Sequence, residues 1–529
     1  MRLGLACLGL SGLVIVGFWA WLGTPVAMPN SPLSPGEKLY CLSYSPFRGS
    51  QTPLDAGIQI PPAQIEDDLS RLAQITDCVR TYSTEFGQDR IAEVAARHGL
   101  KVLQGLWLSS HADKNRVQIE TAVALANRYP DTVRAVVVGN EVLLRGELSS
   151  EQLGAIIREV KSRVKVPVTY ADVWEFWLRN RELAAAVDFI TIHILPYWED
   201  FPIPAREAAA HVDSIRRRMV AAFPGKEVVI GEVGWPSAGR MREGALPSPA
   251  NQARVIQDVL ALGKRDHYRV NVIEAFDEPW KRALEGTVGG HWGLLDDVSR
   301  TPKFKWGEAV SNHPLWRWQA AGGIAFALIV FGASFAARRE APLRLWLLVS
   351  ANATAGALIG WSIANVPIES LGVSGWLRSL AYVGVALLSP PVLSAAAMRG
   401  APLPRFSSLL GPQAERVKDP LIRVTGALLI AVTLLALVAA LGLVFNPRYV
   451  DFPFAPLSCA IVPFFTHGVT MSRPLGRHGA AEWAAAGMLA LSVPYIAFNE
   501  GFANWQSLWL CAALALLAFT LARVRDGQS

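Results

Sequence analysis

Ala135-Val136-Val137-Val138-Gly139-Asn140-Glu141 is an apolar, β-branched run that stops abruptly at an amide and a carboxylate. Such a run predicts a strand buried on both faces over 134–138, with polar chemistry at its carboxyl end. Working outward, the same pattern recurs. Strands are expected at 39–44, 77–82, 101–107, 166–171, 188–194, 226–231 and 269–276. Amphipathic helical patterns separate them at Ile65–Ile75, Asp89–His98, Val117–Arg128, Ser150–Val164, Ala205–Ala222 and Asn251–Leu262. Eight strands alternating with helices over roughly 275 residues fit an α/β fold of the (β/α)₈ barrel type in number, order and size. An open doubly wound sheet would carry a glycine-rich phosphate turn after an early strand, and none stands there.

In such barrels the chemistry sits at the carboxyl ends of the strands. The seventh run ends Gly231-Glu232-Val233-Gly234-Trp235-Pro236, again an apolar stretch closing on a carboxylate. Glu141 and Glu232 are 91 residues apart, three βα units of about 30 residues each, so they can face each other across a barrel mouth. Two facing carboxyl groups are what cleavage of a glycosidic bond requires: one protonates the leaving oxygen, the other attacks the anomeric carbon or activates water. The plainer alternative is that each glutamate caps a helix or pairs with a nearby arginine.

Further motifs sharpen this reading. The chain resembles glycoside hydrolase family 17, retaining enzymes acting on β-1,3-linked glucans, through four motifs in collinear order over about residues 38–310. Val-Gly-Asn-Glu-Val at 138–142 is similar to the family's acid/base strand, and Gly-Glu-Val-Gly-Trp-Pro-Ser-Ala-Gly at 231–239 to its nucleophile strand. Phe-Asp-Glu-Pro-Trp-Lys at 276–281 resembles its strand-eight signature, and Val-Arg-Thr-Tyr at 79–82 its strand-two end. The resemblance implies Glu141 as acid/base, Glu232 as nucleophile and Asn140 on the sugar 2-hydroxyl. It implies that Glu278 and Lys281 tune the acid/base region, with a structural salt bridge between them as the rival. Arg80 and Tyr82 would orient the nucleophile, unless Arg80 only knits the barrel floor together. Tyr44 is a further candidate for substrate binding. Tyr197, Trp198, Trp235, Trp280 and Trp292 are candidate sugar-stacking faces or barrel filler. Neither a metal nor a cofactor is expected.

Two strand ends depart from the plant members of the family. Strand six reads His193-Ile194-Leu195-Pro196-Tyr197-Trp198, without the Asn and Tyr that precede Pro-Tyr there. Strand five ends Tyr170-Ala171-Asp172 and runs on through Trp174 and Trp177. These positions face substrate, so they bear on the acceptor: a glucosyl-enzyme intermediate is resolved by water or by another sugar.

The rest of the chain is of another kind. Leu3 to Gly23 is apolar and uncharged, and from Trp316 onward apolar stretches recur at about 316–336, 345–365, 379–398, 424–445, 452–471, 481–498 and 505–522. Each is long enough to cross a bilayer. The sequence therefore divides into an N-terminal anchor or signal segment (1–30), the barrel (37–312) and an all-α membrane domain of about seven helices (315–529). The net charge of the chain is +6. Beyond residue 336 stand 14 Lys+Arg against 8 Asp+Glu, so residues 1–336 sum to zero. The basic balance thus reports topology, not nucleic-acid binding. Arg338, Arg339, Arg344, Arg399, Arg405, Arg416, Lys418, Arg423, Arg473, Arg477, Arg523 and Arg525 fall on one side of the spans, and only Arg378 and Arg448 on the other. By the positive-inside rule the basic side of this multi-pass protein is cytoplasmic and the barrel lies outside the cytoplasm; the resemblance implies the periplasmic side of a bacterial inner membrane. Arg2 gives the same orientation, and the N-terminal stretch reads better as an uncleaved anchor than as a signal peptide.

Of five cysteines, Cys7, Cys459 and Cys511 lie in spans. With Tyr44 and Arg80 both taken to point inward, side-chain alternation puts Cys41 and Cys78 on opposite faces and argues against a bridge. Family members with an attached membrane domain are associated with periplasmic β-glucan synthesis, including rhizobial cyclic β-(1,3),(1,6)-glucans, and the chain resembles that subgroup. The expectation is a membrane-bound retaining β-glucan transglycosylase that elongates or branches β-1,3-glucan, with β-1,3-glucan hydrolysis as the alternative. Its partners would be the glucan, membrane lipid and a separate glucan synthase. From another class, the helices would be a glucan exporter and the barrel its binding module; the spans hold few polar residues for such a path, chiefly Asn352, His467 and Glu482.

Overall fold

A computed structural model of the protein describes residues 1–410, 417–471 and 479–523. It contains two compact units. One is Val26–Ala238 with Gly244–Val310; the other is Met1–Pro25 with Gly239–Glu243 and Ser311–Ser529. The N-terminal segment thus groups with the C-terminal helices.

In the first unit eight parallel strands close into a barrel in sequence order: β1 Cys41–Ser43, β2 Cys78–Arg80, β3 Lys101–Leu106, β4 Val133–Asn140, β5 Val168–Val173, β6 Ile190–His193, β7 Val228–Val233 and β8 Val270–Val272. Every expected strand is present, and β8 returns to β1 through Cys41↔Asn271 and Leu42↔Val272. β4 runs further than its β-branched core, to Asn140, which makes Glu141 the first residue beyond it. The helices Pro62–Leu72, Ala112–Arg128, Ser150–Arg163, Ala205–Ala222 and Pro249–Arg265 lie outside the strands. Their apolar stripes, such as Ile65, Leu69 and Leu72 or Leu153, Ile157 and Val160, join Val79, Val102, Val136, Ile190 and Ile230 in one core. Local chemistry sets the helix starts: Ser149 and Gln152 form a capping box, and Ser248 accepts the Asn251 amide ahead of a proline at the first turn. A short helix, Trp174–Arg179, follows β5, where the sequence pattern offers none.

Inside the barrel Cys41, Cys78, Leu103, Ala135, Val137 and Ala171 form a separate buried layer. Cys41 and Cys78 are joined there by a disulfide, contrary to the alternation argument. The register pairs Leu42 with Val79 and Ser43 with Arg80, which sets Cys41 beside Cys78 on the inner face. Alternation itself holds; the direction taken for Tyr44 does not. That residue follows β1 on the outer face, and its hydroxyl donates to Asp68 Oδ2 at 2.9 Å on the helix Pro62–Leu72. The bridge closes a sequence separation of 37, which chain-entropy arguments make stabilising by about 4 kcal/mol.

In the second unit Arg2–Gly23, Trp316–Ala337, Leu343–Glu369, Gly372–Met398, Pro420–Phe445, Ala480–Glu500 and Trp505–Ala522 are long and apolar enough to cross a membrane. The stretch expected at 452–471 forms the shorter helix Phe454–Thr470, of 17 residues. Leu343–Glu369 is interrupted by a 3₁₀ turn at Gly356–Leu358. The first helix packs inside this unit: Trp19 Nε1 donates to Ala357 O at 3.1 Å, and Ser11 and Ser350 share a 2.6 Å hydroxyl bond. The polar residues singled out in the spans are hydrogen-bonded. Asn352 Nδ2 donates to Ser394 Oγ and its Oδ1 accepts from Thr466 Oγ1, both at 2.9 Å. His467 Nε2 lies 3.0 Å from Ala401 O, and Glu482 Oε1 accepts the Phe406 amide at 2.6 Å. Arg416, Arg473, Arg477 and Arg525 lie outside the described residues.

Candidate active site

Glu141 sits where β4 breaks. Its φ is +52°, a left-handed conformation that a non-glycine residue holds at a cost of order 1 kcal/mol or more unless its surroundings enforce it. They do. The Glu141 amide donates to Ala171 O at 2.8 Å, its carbonyl accepts the Arg145 amide at 2.9 Å, and the Leu143 amide donates to the Tyr170 hydroxyl at 3.0 Å. Gly139, at φ +87°, makes the bend just ahead, and a Cβ there would meet Val142 Cγ2 at 2.6 Å.

Glu232 instead lies within β7, with its side chain 5 % exposed. The β6–β7 register shifts between Ile192 and His193, so that His193 pairs with Glu232. Such irregularities re-aim side chains at the rim of a barrel. Gly231 completes the fit: a Cβ there would strike Thr191 Cγ2 at 2.4 Å and crowd His193 Cδ2 at 3.2 Å, so its absence makes room for the imidazole.

His193 stands between the two carboxylates. Its Nδ1 lies 2.8 Å from Glu141 Oε1 and its Nε2 3.5 Å from Glu232 Oε1, and the ring is fully buried. One oxygen from each glutamate and a histidine nitrogen lie within 4.8 Å of one another. That closeness suits the separation of about 5–5.5 Å found in retaining pairs, not the roughly 6.5–9.5 Å of inverting ones.

The nucleophile position is built from β2. Arg80 Nη1 donates to Glu232 Oε1 at 2.5 Å and to Gly231 O at 3.3 Å, and the Tyr82 hydroxyl donates to the same carboxylate oxygen at 3.0 Å. Arg80 Nη2 donates to Asn140 Oδ1, which turns the Asn140 amide nitrogen away from the guanidinium. Burial alone would raise the Glu232 pKa; the positive charges of His193, Arg80 and Lys281 outweigh it and hold the carboxyl below its usual 4.5. Burial pushes the Tyr82 phenol up, so it stays a neutral O–H donor.

Beside them is a buried acidic cluster following β8. Lys281 Nζ donates to Glu274 Oε2, while Glu278 Oε2 accepts from Trp280 Nε1 at 2.5 Å. The salt bridge of Lys281 is therefore to Glu274 and not to Glu278. Burial lifts the Glu274 carboxyl to about 7 against the opposing charge of Lys281. Burial, reinforced by Glu274, lifts that of Glu278 well above the carboxylate range.

At the end of β5 the buried Asp172 accepts from the Tyr170 hydroxyl, and its Oδ1 accepts its neighbour Val173's amide at 2.7 Å. Burial raises it to about 6; the Tyr170 hydrogen bond opposes that rise and the charge of Glu141 adds to it.

The aromatic candidates divide. Tyr44 is buried against Phe276 with its hydroxyl on Asp68, behind the site. Tyr197 is closed in by Trp198, Trp235 and Trp292, all edge-on at 5.0–6.1 Å between centroids, and Trp235 Nε1 donates to Leu246 O at 3.0 Å. Tyr197, Trp235 and Trp292 are buried, so as placed they offer a sugar no open face; Trp198 and Trp280 are partly exposed. Sequence reasoning placed His193 and Asp172 on substrate-facing strand ends without giving either a role, and it missed Glu274. His193 and Asp172 had a signal, since both are polar groups ending apolar strands. Glu141, His193 and Glu232 also satisfy the spacing for holding a cation, but Arg80 already supplies the positive charge at Glu232, which disfavours a second one.

Residues 41–293 match the model of the BtgE/BtgC glycoside hydrolase domain. A putative glucan endo-1,3-beta-glucosidase of Aspergillus niger is 27% identical over 292 residues, covering 49% of this chain and 42% of its own length. A probable family 17 glucosidase of Saccharomyces cerevisiae is 27% identical over 262 residues, covering 48% of this chain and 64% of its own. The chain thus spans from 42% to 64% of the length of these curated relatives. Among solved structures, an active-site mutant of Rhizomucor miehei beta-1,3-glucanosyltransferase in complex with laminaritriose is 27% identical, covering 52% of this chain and 97% of that one at a TM-score of 0.44.

Proposed function

We propose that this barrel, which is related to glycoside hydrolase family 17, is a retaining β-glucan-active enzyme that passes a glucosyl unit from one β-1,3-glucan chain to another. The observation that carries the proposal is the pair Glu141 and Glu232 at retaining separation, with His193 standing between them. The printed names of the curated relatives supply the β-1,3-glucan class. Glu141 protonates the glycosidic oxygen as the Glu232 carboxylate attacks the anomeric carbon, so the C–O bond to the departing chain breaks as the ester bond to Glu232 forms. Glu141, now a carboxylate, removes the proton from the incoming hydroxyl, which attacks the same carbon and releases Glu232. His193 Nδ1 stays within hydrogen-bond reach of Glu141, at 2.8 Å, and so fixes the acid/base group for both stages.

The seven long apolar helices support a membrane-held enzyme, the packing of the first helix on its neighbours supports its retention as an anchor, and the buried disulfide suits an oxidising compartment outside the cytoplasm. Proximity to a membrane synthase that extrudes glucan would favour transfer, including formation of β-1,6 branches. Hydrolysis is the second reading, favoured by the glucosidase names of the relatives. Incubating the full-length protein in detergent with laminari-oligosaccharides tests the choice. Transfer gives products longer than the substrate or branched, as seen by mass and by NMR linkage analysis; shortened products alone would overturn it.

A further inference from the structure

Trp107 stands apart from the other tryptophans of the barrel unit. It is the exposed one among the described residues there, at 36 %. It follows β3 directly, and β3 pairs with β4 so that Leu106 faces Val138. Trp107 is therefore level with Gly139, one strand spacing of about 4.8 Å across and two residues short of Glu141.

Its ring is held from behind. The Arg145 guanidinium lies over it at 4.1 Å from the ring centroid. That guanidinium is itself fixed: Nη2 donates to Leu108 O at 2.7 Å and to Asn140 O at 3.0 Å, and Nη1 to Glu147 Oε1 at 3.1 Å. Glu147 Oε2 in turn accepts the Ser110 amide at 2.8 Å, which ties the loop after β3 to the turn after Glu141. The Trp107 amide donates to Gln118 Oε1 at 3.1 Å. One ring face is thus occupied by a clamped cation, and the residue's exposure is left to the remainder. A single exposed apolar side chain is ordinary on a protein surface; what sets Trp107 apart is its place beside the acid/base strand with one ring face fixed against Arg145. A rigid, half-covered indole loses little conformational freedom on binding, and its electron-rich face suits the C–H face of a pyranose ring.

We propose that Trp107, backed by Arg145, is a stacking platform for a glucosyl unit of the bound glucan other than the one under attack at Glu232. The platform sits on the acid/base side of the mouth, since it is next to β4, and it extends the binding site to longer chains. Arg145 is the positioning residue: it reads the Asn140 carbonyl beside the acid/base and the ring at once, so the two are kept in fixed relation.

The inference rests on the β-glucan reading, and the test separates the two. Full-length Glu232→Gln protein, which binds without turnover, is titrated calorimetrically with laminaribiose through laminarihexaose, with and without Trp107→Ala. The platform predicts that affinity for the shortest sugar is unchanged, while one later step of the ladder, worth about tenfold, disappears in Trp107→Ala. Trp107→Phe, which keeps an aromatic face, should restore most of that step. An unchanged ladder in a folded Trp107→Ala protein would overturn the platform while leaving the β-glucan reading intact. A folded Trp107→Phe protein that fails to regain the step would also overturn it, by reducing Trp107 to a structural role. Absence of binding to every member of the series by the Glu232→Gln protein would remove the premise together with the platform.

Discussion

The two glutamates that meet at His193 are held in opposite ways. Glu232 lies inside a strand, is 5 % exposed, and takes hydrogen bonds from Arg80 and Tyr82 on one oxygen. Glu141 lies just past a strand on a left-handed backbone, is 22 % exposed, and has His193, not an arginine, as the ion-pair partner of its carboxylate among the described residues. The difference follows from their chemistry. A nucleophile has to stay ionised and aimed, so fixed cations around a buried carboxylate serve it. An acid/base has to change protonation state twice in each cycle, so a titratable partner and access to the substrate serve it. Positional rigidity comes to Glu232 from its side-chain bonds and to Glu141 from its backbone.

The contrast is open to attack by substitution. Glu232→Gln should show the largest effect, a loss of kcat of about 10⁴-fold or more in a protein still folded at the assay temperature. Glu141→Gln should cost about 10²–10⁴-fold on glucan, and far less on aryl glucosides whose leaving group needs no proton. Equal losses on both substrates would erase the distinction between the two residues. Arg80→Gln should lower kcat/KM by roughly 10²-fold and shift its pH profile. Glu232 is held below its usual 4.5, so it stays ionised as the pH falls to that value, and the acidic limb of the wild-type profile lies beneath it. Removing Arg80 takes away one of the charges that lower it, and the limb moves to higher pH. A limb that does not move would mean the guanidinium holds geometry alone. Tyr82→Phe deletes one hydrogen bond to a charged oxygen and should cost roughly tenfold in kcat/KM.

The barrel and its working ends are legible in the amino-acid sequence. β-branched runs closing on Asn140-Glu141 and Gly231-Glu232 mark them, because strand period and strand-end chemistry are both local properties. What is not legible depends on where one strand lies against another. Tyr44 looks like an inward residue because it ends an apolar run; only the pairing of Ser43 with Arg80 shows that it points outward, and with that Cys41 and Cys78 become neighbours. His193 is visible as a departure in strand six, yet its place between the glutamates arises from a register shift at Ile192 that no pattern announces. Glu278 is the acid nearer to Lys281 in sequence, and the chain folds the lysine onto Glu274 instead.

The smallest effect on catalysis should come from the buried disulfide. Replacing Cys41 and Cys78 with serine touches neither glutamate. It should lower the unfolding free energy by about 4 kcal/mol while kcat at a temperature where the protein is folded stays within about twofold of wild type. A large loss of kcat would mean that the barrel floor helps to position the catalytic pair.

The most direct test of the assignment is covalent trapping. The full-length protein is treated with a 2-deoxy-2-fluoro laminaribiosyl fluoride, which slows release of the glycosyl-enzyme, then digested with protease and mapped by mass spectrometry. The account predicts one glycosyl adduct, on the peptide carrying Glu232, absent from Glu232→Gln and still formed by Glu141→Gln. An adduct on Glu141, or turnover of a glucan with inversion and no adduct at all, would contradict it.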